Sequence, residues 1–95
     1  MKQREGKKHV GNICRVVWND ITGKSGWTDP EQLDRVSQFA SCITFGVVVA
    51  AKVDGLLIAG SIGSGYDDTP FYGDLTYIPW GCVVSIWDLE AGDDE

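Results

Sequence analysis

Hydrophobic positions are densest in residues 42–62, where two apolar runs flank the dipeptide Asp54-Gly55. Both runs are rich in β-branched residues, and Asp-Gly accepts the positive φ angles of a two-residue type I′ turn. The pattern predicts a β-hairpin with strands over residues 43–51 and 56–62. Gly46 and Gly60 are the expected positions of a bulge or bend.

Alternation predicts a further strand over residues 12–20, where every second side chain on one side is apolar: Cys14, Val16 and Trp18. That side should be buried. A short strand over residues 75–78 must end by Pro79, which lacks a backbone donor, and a last strand follows over residues 82–89.

A short helix is predicted between the first two strands. Thr28-Asp29-Pro30-Glu31 combines capping residues, a first-turn proline and an acidic residue near the N-terminus of the helix. The apolar positions that follow at helical spacing are Leu33, Val36, and Phe39 or Ala40. We expect this stripe to close one end of a barrel.

The remaining segments have loop or tail composition. Residues 63–74 combine Gly, Asp, Pro and aromatic residues, which is typical of a long exposed loop. Residues 1–11 are basic and without apolar periodicity, which predicts a mobile leader outside the core. Residues 90–95 are acidic and predict a disordered tail, so a single domain is expected over residues 12–89.

These elements predict a mainly β fold. Five strands and one short helix in a chain of 95 residues fit a small, strongly bent SH3-like or Sm-like barrel. The helix then lies between strands 1 and 2. An OB-like barrel is the alternative.

Charge narrows the classes of partner. The net charge is −6, divided into +3 before Val10 and −9 over the rest of the chain. Such an acidic body favours basic protein partners and disfavours nucleic acid, whose binding depends on phosphate contacts. No apolar run approaches the ~20 residues that cross a bilayer, so no membrane partner is expected.

Catalytic chemistry has little support. The three cysteines, Cys14, Cys42 and Cys82, lie singly in apolar runs and are interpreted as reduced core residues of a cytosolic protein. The one histidine, His9, falls in the predicted leader, so neither a general base nor a zinc site is expected. We expect no enzyme activity, metal or cofactor. Asp67, Asp68 and Asp74 leave calcium binding open as an alternative.

Aromatic residues supply the candidate binding surface. Five of them fall at turns or loop edges: Trp27, Tyr66, Phe71, Tyr72 and Trp80. Together with Asp67 and Asp68 they are typical of a protein-contact surface, where aromatic residues act as anchors. The alternatives are that they cover the core or line a small-ligand pocket.

Several motifs resemble a family of small, mostly uncharacterised tailed-phage proteins. They are Trp18-Asn19-Asp20, Ser25-Gly26-Trp27, the strand at residues 43–49, Ile78-Pro79, and the last strand at residues 83–89. This chain departs from the family pattern with Phe45 and Val47 on either side of Gly46. The resemblance implies a phage accessory protein in the bacterial host cytoplasm, with no catalytic residues to transfer.

The leading hypothesis is a non-enzymatic module that binds a basic patch of a host protein and modulates or inhibits it. A second hypothesis is an oligomeric protein that sequesters a signalling nucleotide, with Trp27 or Tyr72 stacking on the base. Its phosphates would need the few cations outside the leader: Arg15, Lys24, Arg35 and Lys52. A virion accessory or structural role is a third possibility, and homo-oligomers are compatible with all three.

Overall fold

The computed structural model describes residues 1–89 and confirms a mainly β fold with one antiparallel sheet. The strands are β1 (Ile13–Asp20), β2 (Ala40–Ala51), β3 (Gly55–Ser64), β4 (Pro70–Pro79) and β5 (Val83–Asp88). The helices are α1 (Gln3–Lys7) and α2 (Leu33–Val36), with 3-10 turns at Pro30–Gln32 and Trp80–Cys82. The predicted tail at residues 90–95 lies outside the described residues.

Strand order places β4 and β5 at the two edges of the sheet. The order is β4-β3-β2-β1-β5, and hydrogen bonds between strands do not close the sheet. The five strands and the short helix between β1 and β2 are as predicted.

The core lies on one face of the sheet, here called the inner face. Its buried side chains are Cys14, Val16, Val48, Leu56, Ile58, Ile78, Trp80 and Val83. The alternation in β1 therefore identified the buried side correctly. Trp18, on the same side, is half-buried, and its Nε1 donates a hydrogen bond of 2.9 Å to the Thr44 hydroxyl.

The turn between β2 and β3 differs from the predicted type I′ geometry, since neither Asp54 nor Gly55 has a positive φ. The strands are connected by residues 52–54, and a 2.8 Å hydrogen bond from the Lys52 amide to the Gly55 carbonyl closes the turn. Gly55 is required for a steric reason. A Cβ atom there would lie 2.7 Å from the Ile78 carbonyl oxygen.

The amino-terminal segment is part of the packed structure, which differs from the predicted leader outside the core. Residues 3–7 form helix α1, and Met1 packs against the core. The Gln3 side-chain amide donates to the Ala51 carbonyl at 3.1 Å. This docking is possible because Gly6 has no side chain and lets the ring of Trp80 approach its backbone.

The helix between β1 and β2 is shorter than predicted and does not close an end of the fold. It consists of the 3-10 turn Pro30–Gln32 followed by one turn of α2. Its apolar residues face solvent: Leu33 is 50% exposed and Val36 38% exposed, and Phe39 beyond it is 72% exposed. The apolar stripe is therefore not part of the buried core.

Strands β2 and β3 separate after a short paired region. They pair only from Ala51↔Leu56 to Val47↔Ala59, whereas β3 and β4 remain paired out to Ser64↔Pro70. Residues 60–74, here called the hairpin arm, are therefore a two-stranded extension beyond the shared sheet. The predicted loop over residues 63–74 is wrong, because only residues 65–69 connect the two strands.

Candidate functional site

The end of the hairpin arm is an ordered turn that presents two carboxylates. The Gly65 amide donates to the Thr69 carbonyl at 3.0 Å, and the Asp68 amide donates to the Gly65 carbonyl at 3.1 Å. Asp68 takes a left-handed backbone conformation with a φ of 61°. Asp and Asn tolerate this region better than most residues, so the sequence of the turn suits its geometry.

The carboxylate of Asp67 is held in place by its neighbour Thr69, whose amide donates a 3.1 Å hydrogen bond to Oδ1. Hydrogen bonds from Thr69 lower the pKa of Asp67 because they stabilise the ionised form. The turn therefore carries a positioned negative charge at neutral pH.

Three of the predicted contact aromatics lie on the same arm. Tyr66 is fully exposed, Phe71 is 63% exposed and Tyr72 is 46% exposed. Tyr66 and Phe71 line an open cleft together with Ser64 and Gly65. The structure therefore places Tyr66, Asp67, Asp68, Phe71 and Tyr72 on one arm, and the exposure of the aromatic side chains is compatible with the predicted binding role.

Trp27 is the fourth exposed aromatic and lies on a different segment. It is fully exposed in the connection between β1 and the 3-10 turn at Pro30. The first half of β2, which is paired with β1, and the second half of β3 run toward the same end of the sheet, because β2 and β3 are antiparallel. The connection that carries Trp27 therefore protrudes from the same end of the sheet as the arm.

Trp80 belongs to the core, which removes it from the predicted binding surface. It is 8% exposed and packs beneath α1. Its indole Nε1 donates a 2.7 Å hydrogen bond to the Lys52 carbonyl, which holds the ring against the β2–β3 turn. Trp80 therefore fits the alternative interpretation, in which an aromatic side chain covers the core.

The cations that a phosphate ligand would require are spread over the chain. Arg15 lies in β1, Lys24 in the connection after β1, Arg35 in α2, and Lys52 in the β2–β3 turn. The Lys24 ammonium donates to the Thr28 hydroxyl at 3.0 Å. Because these residues lie on four different elements, the geometry does not favour the nucleotide-sequestering hypothesis.

A cluster that the sequence did not predict joins the two termini of the described chain. Nδ1 of His9 lies 2.7 Å from Oδ1 of Asp88, and the Cys14 thiol donates to the same oxygen at 3.2 Å. The hydrogen bonds from His9 and then Cys14 lower the pKa of Asp88. Burial, reinforced by Asp88, raises the pKa of the Cys14 thiol to about 12.

This cluster is also the one place in residues 1–89 where three potential metal ligands meet, with their atoms within 4.8 Å of one another. Asp67, Asp68 and Asp74 do not form such a group. Tetrahedral zinc separates nitrogen and oxygen ligands by about 3.3 Å, given bonds of about 2.0–2.1 Å. The observed 2.7 Å between His9 and Asp88 is a hydrogen-bond distance. The arrangement is therefore a hydrogen-bonded network that fastens the amino-terminal segment to β5.

Searches against protein-family models, curated proteins and solved structures find no match to this chain. Over residues 1–89, none of the helices has the length and apolar character needed to span a membrane.

Proposed function

We propose that this chain is a non-enzymatic binding module of a tailed phage, which engages a basic patch of a host protein in the bacterial cytoplasm. The phage origin and the compartment rest on the resemblance of the W-x-D, G-W and I-P motifs. The observation that carries the binding role is the hairpin arm, which extends beyond the shared sheet with exposed aromatic side chains beside two carboxylates.

Charge makes the arm selective. Residues 60–74 contain three aspartates, Asp67, Asp68 and Asp74, and neither Lys nor Arg. Complementary charge speeds association and discourages partners of the same sign, so a basic surface is the favoured target. A protein that normally binds nucleic acid has such a surface, and covering it would inhibit that protein.

The aromatics supply contact area that charge alone does not. Tyrosine and tryptophan are enriched among the residues that dominate binding energy, because they bury a large rigid surface and keep a polar group for hydrogen bonding. Tyr66 is the best placed of these in the arm, since its side chain is fully exposed beside Asp67. Trp27 offers a second anchor at the same end of the sheet.

The test uses the full chain to recover a partner from a lysate of the bacterial host, followed by binding kinetics with that purified partner. Asp67→Asn combined with Asp68→Asn should slow association roughly tenfold at low salt and flatten its salt dependence. Asn is tolerated at the positive φ of Asp68, so the turn should persist. Tyr66→Ala should speed dissociation by about tenfold.

The matched control is Asp29→Asn combined with Asp34→Asn, which removes the same charge from the segment around α2. Its association rate should fall much less. Equal effects of the two double variants would reject the arm as the site. A chain that recovers no partner would reject the proposed function.

A further inference from the structure

The face of the sheet opposite the core, here called the outer face, carries a broad apolar surface. Its large exposed side chains are Ile13, Ile43, Phe45, Leu75, Tyr77 and Trp87, which are 45–61% exposed. They come from four of the five strands, namely β1, β2, β4 and β5. Isolated exposed apolar residues are ordinary, but contiguous apolar patches of more than a few hundred Å² mark interaction sites.

Strand register shows that these residues form one surface. Trp87, Arg15 and Phe45 are direct cross-strand neighbours over β5, β1 and β2. A second row of neighbours crosses four strands through Ile13, Val47, Ala59 and Leu75. Since strands lie about 4.8 Å apart, five strands make the surface roughly 20 Å wide.

The outer face is almost without charge. At the register positions that share it, Arg15 is the one ionised side chain, although the whole chain has a net charge of −6. One carboxylate, that of Asp54, reaches the edge of this face, where it accepts a hydrogen bond from the Tyr77 hydroxyl. A partner recognised by charge would find little to bind here. A second copy of this chain brings the same neutral apolar surface, and self-complementary patches are what two-fold symmetric dimers use.

The chain as a whole exposes more surface than a compact monomer of its mass, and the outer face is one contributor to that excess. The chain exposes 7260 Å², whereas a compact monomer of 10.4 kDa exposes about 5,400 Å². Each partner in a stable interface of standard size buries about 800 Å². Covering the outer face would bring the exposed surface closer to that of an ordinary folded chain.

We propose that the outer face is a self-association surface, covered by the outer face of a second copy of this chain. Phe45 lies on the central strand β2 and is 60% exposed, so it is placed to be an anchor of the contact. The Arg15 guanidinium lies in register between Phe45 and Trp87 and can stack on aromatic rings of the second copy. The assembly would leave the hairpin arms free for other partners.

The test measures the solution mass of the purified chain by light scattering and sedimentation over a range of concentrations. The wild type should have at least twice the 10.4 kDa mass of one chain. Phe45→Lys should weaken association roughly tenfold or more, because it places a charge in a desolvated contact. Val53→Lys is the matched control, since Val53 is 83% exposed in the turn between β2 and β3, outside the paired strands, and it should behave as the wild type.

Phe45→Thr is measured alongside, because a β-branched residue suits the strand and removes most of the apolar side chain. Circular dichroism establishes whether each variant keeps its fold. If Phe45→Lys does not fold, the mass of Phe45→Thr provides the test. A wild type of single-chain mass at every concentration would overturn the proposal. So would a folded Phe45 variant that keeps the full mass, which would point to pairing through the edges of β4 and β5.

Salt separates this proposal from the proposed function. Two chains of net charge −6 repel each other, so screening should leave self-association unchanged or strengthen it. Binding of the acidic arm to a basic partner should weaken with salt instead. Failure of one proposal therefore leaves the other testable.

Discussion

The indole ring of Trp80 occupies the space where a side chain on Gly6 would begin. A Cβ atom on Gly6 would lie 2.3 Å from Cη2 of the ring and 2.8 Å from Cζ3. Real Cβ atoms do not approach other atoms this closely, so any larger residue must displace α1 or the ring. The contact joins the first helix to a residue more than 70 positions along the chain.

Gly6→Ala should therefore destabilise the protein by about 1–3 kcal/mol, the usual range for forcing an extra carbon into a packed site. Helix propensity would favour alanine, so a loss of stability isolates the steric effect. The measurement is the free energy of unfolding in urea. Gly23→Ala is the control, since a Cβ at Gly23 meets nothing within 4 Å, and it should change stability little.

Gly46→Ala should destabilise the separation point of β2 and β3. A Cβ there would lie 2.4 Å from the Ala59 carbonyl oxygen and 2.7 Å from Cγ2 of Ile58. The backbone of β3 cannot move away without losing pairing with β2, so a cost of about 1–3 kcal/mol is expected. Thermal unfolding tests it against Gly63→Ala, where the space is open. Equal melting temperatures for the two variants would show that β2 and β3 can move apart to accommodate the extra methyl group without loss of stability.

Cys14 should be the least reactive of the three thiols. It is fully buried, and its pKa is raised to about 12, first by burial and then by Asp88. At pH 8 about one Cys14 thiol in ten thousand would be ionised, and the thiolate is the reactive form. Timed alkylation followed by mass spectrometry should label the half-buried Cys42 and Cys82 first. Labelling of Cys14 at the same rate would contradict this packing.

Asp88 should make stability depend on acidic pH. Its pKa is lowered in the folded state by His9 and Cys14, so the unfolded chain binds its proton more readily. The resulting stabilisation is present above the unfolded pKa of about 3.9 and disappears as pH falls through the lower folded value. Asp88→Asn should thus reduce stability at pH 7, and its difference from the wild type should shrink below about pH 4.

The control for that experiment is Asp29→Asn, which removes an exposed carboxylate ahead of the 3-10 turn at Pro30. Urea unfolding at several pH values compares the three proteins. A difference between Asp88→Asn and the wild type that stays constant with pH would contradict the hydrogen-bonded cluster.

Local patterns predicted the strands where one side faces the core. The alternation of Cys14 and Val16 in β1 and the paired runs that became β2 and β3 are signals of this kind. Composition misled over residues 63–74, because Gly63, Pro70 and Gly73, which are residue types typical of loops, here lie in the paired strands of the arm. The bending and pairing of two strands is not visible in composition.

The candidate binding residues were likewise predicted only in part from the sequence. The sequence grouped Tyr66, Asp67, Asp68, Phe71 and Tyr72 because they are neighbours in the chain. It could not place Trp80 in the core, because a turn residue is buried only when a segment distant in the sequence, here α1, packs over it. Nor could it join His9 to Asp88, which are 79 residues apart.

The sequence by itself determined the class of fold, the number of strands and the acidic, aromatic character of the arm, because period-2 alternation and charge are local properties. Only the tertiary structure decided which apolar face of β2 is buried, that α1 docks on Trp80, and that the outer face is left uncovered. When both sides of a strand are apolar, as in β2, the local pattern cannot choose between them. The choice depends on which face the other elements can cover, and a chain of 95 residues has too few elements to cover both.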